Sequence, residues 1–170
     1  MENFKIFRKV VPGFIPRNPK SFIVKDHFVV SACSEEKVKI CYINEEFKKC
    51  FLPLVEEAEK EDKFLIRGEL LRNYRDSELF FQQKHKPVRL RDIFELISQQ
   101  GRGEKGVLHT KRFSFKTNIF YIKDSDNISC FIFVSFDKKK GGWNIVARKV
   151  DFFDNSKSLS RGSNFFYRFF

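Results

Sequence analysis

Residues Ile128 to Val150 constrain the fold of this chain more than any other stretch. Ile128, Cys130, Ile132, Val134 and Phe136 alternate with Ser129, Phe131, Phe133 and Ser135, and then comes Asp137-Lys-Lys-Lys-Gly-Gly142. Beyond it Trp143, Ile145 and Ala147 alternate with Asn144, Val146 and Arg148. Two period-two runs joined by a short segment with paired glycines predict a β-hairpin, because glycine supplies the positive φ angles of a tight return. Lys138, Lys139 and Lys140 fall at its tip as a cationic knob. Trp143, in line with Ile145 and Ala147, is expected to be buried.

The rest of the chain divides by period. Phe4 to Val11 is followed by Pro12, Gly13, Pro16 and Pro19, which predicts an extended or turning arm over 1–20 that packs on the body. Ser21 to Ala32 and Lys37 to Ile43 read as strands, with Asp26 the exception to the alternation of the first. From Asn44, a plausible N-cap, Phe47, Phe51, Leu54, Val55 and Ala58 recur every three or four residues, predicting a helix over about 45–59. Pro53 requires that this helix kink, or begin near Phe51. Phe64 to Phe81 is read as helix from Leu65, Leu70, Leu71 and Tyr74, although its start also fits a strand. Val88 to Gln100 is the clearest helix: Leu90, Ile93, Phe94 and Ile97 share a face, with Pro87 before and Gly101 after.

After Gly101-Arg-Gly-Glu-Lys-Gly106 the period is two. Lys111–Lys123, the hairpin and Asn164–Phe170 suggest a four-stranded antiparallel meander, with a turn at Asp124-Ser-Asp-Asn. With 170 residues and 42% hydrophobic content, the expectation is one α+β domain spanning 1–170. An arm (1–20), a helical segment (44–100) and a meander (107–170) make it up. Its curved antiparallel sheet, completed by N-terminal strands, carries two or three helices on one face.

Charge points toward function. The net charge is +11, distributed as +4 over residues 1–30, −4 over 31–62, +6 over 63–112 and +5 over 113–170. Such a field attracts polyanions, with nucleic acid first and an acidic protein or anionic surface behind it. The residues expected to bind are Arg89, Arg91, Arg112, Lys116, Lys138, Lys139, Lys140 and Arg148. A sheet face carrying Arg112, Lys116, Phe120, Phe131, Phe133 and Arg148 offers two readings, a stacking surface for unpaired bases or a second buried face. The 23 Phe against four Tyr and one Trp favour burial, since most of these rings have no polar handle.

Catalytic and metal chemistry find little support. The Gly101–Gly106 loop is not GxxxxGK[ST], and it follows a helix rather than a strand, so it reads as a connection and not a nucleotide site. GxSxG, HExxH and SxxK are absent, and so are an RNP1-like octapeptide, a GXXG loop and C₂H₂ spacing. His85, between Lys84 and Lys86, reads as surface. His109, beside Thr110, Lys111 and Arg112, is the one candidate for phosphodiester chemistry. The Glu-rich 45–62 segment is expected to face solvent.

Cys33, Cys41, Cys50 and Cys130 contain no CxxC pair and lack zinc-ligand spacing to His27, His85 or His109, which predicts free thiols and no metal or cofactor. Without a signal segment or an apolar run of about 18 residues, a cytoplasmic location is expected. Two functions follow: a small basic protein contacting nucleic acid mainly through backbone charge, or an interaction module (adaptor, inhibitor or effector) docking a basic face on an acidic partner.

Overall fold

The computed structural model describes residues 7–15, 19–31, 37–60, 63–81, 86–110, 116–151, 153–154 and 157–168. Eleven strands and four helices follow in chain order. They are β1 (Phe7–Ile15), β2 (Phe22–Ile23), α1 (Val24–His27), β3 (Ile40–Ile43), α2 (Glu45–Cys50), β4 (Val55–Glu56), β5 (Lys63–Leu70), β6 (Tyr74–Arg75), α3 (Asp76–Phe81), α4 (Leu90–Gln99), β7 (Asn118–Lys123), β8 (Ser129–Asp137), β9 (Gly142–Lys149), β10 (Ser158–Leu159) and β11 (Asn164–Arg168).

The fold is α+β, built on a seven-stranded sheet in the order β1-β5-β11-β7-β8-β9-β3. The predicted hairpin is present as β8 and β9, paired antiparallel from Cys130↔Lys149 to Asp137↔Gly142. Gly141 lies at φ +64 in the tip turn, the left-handed conformation that tight returns demand. The turn after β7 is also where the sequence put it: the Asp124 carboxylate accepts from the Asp126 and Ile128 amides.

The meander is three strands rather than four. β11 returns to pair parallel with β7 (Asn164↔Asn118) and antiparallel with β5, so the sheet is mixed. Its residues are buried on both faces, which leaves no alternation to reveal the pairing partner.

The N-terminal arm is extended, as expected, over Phe7–Ile15, which forms β1, antiparallel to β5 at the sheet edge, where Pro12 is tolerated. Three other expectations are corrected. Ser21–Ala32 is not one strand: β2 gives way to the single helical turn α1, and only Val30 bridges to Ile40. The helix expected over 45–59 stops at Cys50, three residues before Pro53, and Val55–Glu56 pairs with Phe22–Ile23 instead. Residues 64–81 are strand in β5 and β6, with helix only in α3. Residues 111–115, the start of the strand expected over 111–123, lie outside the described residues, and β7 begins at Asn118.

Two cores flank the sheet. On one face Phe120, Ile132, Val134, Trp143 and Phe166 pack with Phe28, Phe47, Phe51, Ile93 and Ile97 from around α1, α2 and α4. On the other, Tyr121, Phe131, Phe165 and Tyr167 pack with Tyr74, Leu79 and Leu159 from around β6, α3 and β10. Among the described residues no helix is long and apolar enough to cross a membrane.

α4 is held by the segment expected to face solvent. The Glu56 carboxylate accepts from the Leu90 and Arg91 amides, and Asp92 accepts from the Arg89 amide. These bonds satisfy the first turn's free N–H groups in place of a Ser or Thr cap. Glu59 takes Arg89 at 2.7 Å, and Asp92 grips Arg168 through two bonds of 2.7 and 2.8 Å.

Candidate nucleic-acid interface

Strand directions sort the loops to two ends of the sheet. The tip of β8–β9, the starts of β3, β7 and β11 and the end of β5 all lie together. That end collects exposed cations from distant parts of the sequence: Lys37, Arg102, Lys105, Lys116 and Arg161 around Lys138, Lys139 and Lys140. The opposite end receives Glu45 and Glu46, the Asp124 turn, and Asp151 and Asp154. Charge is thus separated along the strand axis, although Lys149 and Lys157 answer the acids there.

The basic rim is fixed by polar contacts beneath it. At the tip, Asp137 accepts from the amides of Lys139 (2.9 Å) and Lys140 (3.2 Å), and its carbonyl accepts from Gly141. Lys39 Nζ donates to the Lys140 carbonyl at 2.9 Å, tying the approach to β3 to the tip. The 101–109 loop is pinned by two amide side chains. Gln100 accepts from the Leu108 amide and donates to the Leu108 and Glu104 carbonyls. Asn118 does the same for the amide and carbonyl of His109. Each amide substitutes for a strand neighbour, so the glycine-rich loop is an anchored part of the rim. A side chain at Gly101 would collide with the Lys37 carbonyl, so glycine is what allows the loop to lie against the approach to β3.

The residues expected to bind separate into two groups. Lys138, Lys139, Lys140 and Lys116 are exposed at this end. Arg89, Arg91 and Arg148 are engaged internally. Arg89 pairs with Glu59, Arg91 is buried with Nη2 donating to the Lys20 carbonyl, and Arg148 pairs with the fully buried Asp76 at 2.9 Å. Arg112 and His85 lie outside the described residues.

The single aromatic face also divides. Phe120 pairs with Ile132 on the helix-covered side, while Phe131, opposite Tyr121, lies on the other, buried beneath β6, β10 and α3. Toward the β3 edge that second face opens. Ser135 is exposed there, Phe133, Asn144, Val146 and Arg148 are half-buried, and Tyr42 is 49% exposed. The Arg148 guanidinium sits 5.1 Å from the Phe133 ring centre, a cation–π distance.

His109 stands near Lys116 and Arg67 at the rim. Burial first, and then these two cations, push its pKa below the ordinary 6.5, against a hydrogen bond with the Gly162 backbone. Its Nε2 is buried without a partner among the described residues. Among the described residues no group of three or more His, Cys, Asp or Glu is placed to hold a metal ion.

Beyond the far end of β9, Arg148, Lys149, Asp151, Phe153 and Lys157 line an open cleft of about 410 Å³, with Phe153 94% exposed at its mouth. Tyr42, Lys37 and Phe153 were not singled out from sequence. Lys39 meets Lys140 across 101 positions, and no local pattern signals such a meeting.

Comparison of the chain with protein-family models, with curated proteins and with solved structures found no match in any of the three.

Proposed function

We propose that this is a small basic protein that binds nucleic acid through the phosphate backbone, using the rim at the tip end of the sheet. The observation that carries the reading is the convergence of exposed cations on that rim. Lys138–Lys140, Lys37, Lys116, Arg102, Lys105 and Arg161 come from four separate connections of the chain. Lysines in such a cluster neutralise phosphates and release counterions, which gives affinity without base recognition. The test is fluorescence anisotropy with labelled oligonucleotides over a salt series. Association is expected at low ionic strength, with a dissociation constant of roughly 10⁻⁴ to 10⁻⁶ M or tighter, falling steeply as salt rises. Absence of binding at low salt would overturn the reading.

One observation favours a second reading, a module that docks on a protein. A nearly fully exposed phenylalanine beside a cleft with charges of both signs resembles an interface anchor ringed by polar contacts. Loss of a captured protein partner on Phe153→Ser, with oligonucleotide binding absent, would support that reading in place of the first.

A further inference from the structure

The rim borders a surface of different character. On β8, β9 and β3, Phe133 is opposite Val146, Ser135 opposite Asn144, and Tyr42 opposite Asn144. Ile43 and Ile145 are also opposite one another and both enter the helix-side core, so Tyr42 and Asn144 must emerge on the far side. That is also the side of Phe133 and Arg148. Over β5, β11 and β7 this side is sealed by Tyr74, Leu79 and Leu159; toward β3 it is open.

From this arrangement we infer that the open half-face is a stacking platform for single-stranded nucleic acid whose phosphates lie on the lysine rim, an inference that rests on the nucleic-acid reading above. Two plates are present. One is the Tyr42 ring. The other is Phe133 with the Arg148 guanidinium over it, held in place because Asp76 takes Arg148 at 2.9 Å from the buried side. Unpaired bases stack on aromatic rings and on guanidinium planes.

Tyr42 and Phe133 stand two strands apart and two residues apart along the strands, about 12 Å at ordinary strand spacing and rise, too far to share one base, so each receives its own. Ser135, exposed beside Phe133 on β8, offers a hydroxyl for sugar or base edges. The turn joining β8 and β9 carries Lys138, Lys139 and Lys140, so phosphate contacts and stacking surface belong to the same hairpin. A duplex keeps its bases stacked inside and has no free base faces to offer these plates.

The experiment compares four labelled ligands at low salt by anisotropy: a single-stranded DNA, a single-stranded RNA, a duplex of the same length, and inorganic polyphosphate, which has the charge without bases. Each is titrated with wild type, Tyr42→Ala and Tyr42→Phe. Wild type is expected to bind single strands more tightly than polyphosphate or duplex. Tyr42→Ala should weaken single-strand binding roughly 5- to 100-fold and leave polyphosphate binding unchanged, with an unaltered unfolding midpoint. Tyr42→Phe should restore it.

A preference between the DNA and RNA strands shows which sugar the platform accepts, and either supports it. Equal binding of all four ligands, insensitive to Tyr42→Ala, would overturn the platform while leaving the backbone reading intact. So would tighter binding of duplex. Failure to bind any of the four would remove both.

Discussion

The indole N–H of Trp143 donates to the carbonyl of Gln100 at 3.2 Å, inside the core that α4 makes with the sheet. The second residue of β9 is thereby joined to the residue that caps the C-terminus of α4, and through Gln100 to the 104–108 loop.

Trp143→Ala should therefore cost about 3–5 kcal/mol, the range for removing a buried large aromatic. Trp143→Phe keeps most of the packing but leaves the Gln100 carbonyl without this donor, so a smaller loss is expected. Urea unfolding monitored by circular dichroism measures both. Stability of the alanine variant within error of wild type would contradict the burial described.

Lys138, Lys139 and Lys140 are exposed, and Asp137 shapes their turn through backbone amides. Replacing all three by Ser should shift stability by less than about 1 kcal/mol, as surface changes do. In the binding assay, affinity should drop and the slope of log affinity against log salt should become shallower by up to about 3, one unit per lost phosphate contact.

Asp92 serves two buried partners, the Arg89 amide and the Arg168 guanidinium. Asp92→Ala leaves Arg168 with Glu59 and frees the Arg89 amide, while Glu56 still holds the Leu90 and Arg91 amides, and should cost about 3–5 kcal/mol, as breaking a buried pair does. Thermal unfolding provides the check. Glu45→Ala is the contrasting variant, since Glu45 pairs with Lys48 in solvent and should change stability by no more than about 1 kcal/mol.

Acid stability carries a sign set by Asp76. Burial raises its pKa above the ordinary 3.8, and the Arg148 guanidinium only partly opposes this. Glu56 is raised in the same way, by burial, against the Arg91 and Leu90 amides. Between the ordinary and the raised values the folded state binds more protons than the unfolded state, so these groups' contribution is full below about pH 4 and is lost as pH rises through the folded pKa. Asp76→Asn should flatten that part of the stability–pH profile, and adding Glu56→Gln should flatten it further. A slope unchanged by both substitutions would show that other carboxylates set it.

Thiol reactivity should be graded. Burial pushes Cys130 up to about 12, with Asp124 adding to it, and the residue is fully enclosed. Cys41 is half-exposed beside the tip turn. At pH 8 a thiol reagent should label Cys41 in the folded protein and Cys130 only after denaturant is added. Mass spectrometry of the labelled peptides distinguishes them.

What could be read from sequence was whatever is written locally. The hairpin shows because Ile132, Val134 and Trp143 alternate with residues of the less buried face, and α4 because Leu90, Ile93 and Ile97 share one helical face. β5 was missed because Leu65 and Ile66 enter opposite cores, so adjacent apolar residues imitate a helical pattern. The parallel partnership of β11 with β7 joins segments separated by the whole hairpin, and nothing in Asn164–Arg168 specifies it. For the rim, clustered Lys138–Lys140 were legible. The pairing of Arg89 and Arg91 with internal partners was not, nor the anchoring of the half-buried Arg148 on Asp76, because Glu59, Lys20 and Asp76 come from other parts of the chain.

The position of β11 between β5 and β7 also orders assembly in time. During synthesis the β7–β8–β9 meander can form as soon as it leaves the ribosome, but it meets β5 only through residues 164–168. Until those are made, the facing edges of β5 and β7 are both open ladders, the kind of edge that recruits stray strands. A nascent chain stalled before Asn164 is therefore the form most in need of a chaperone.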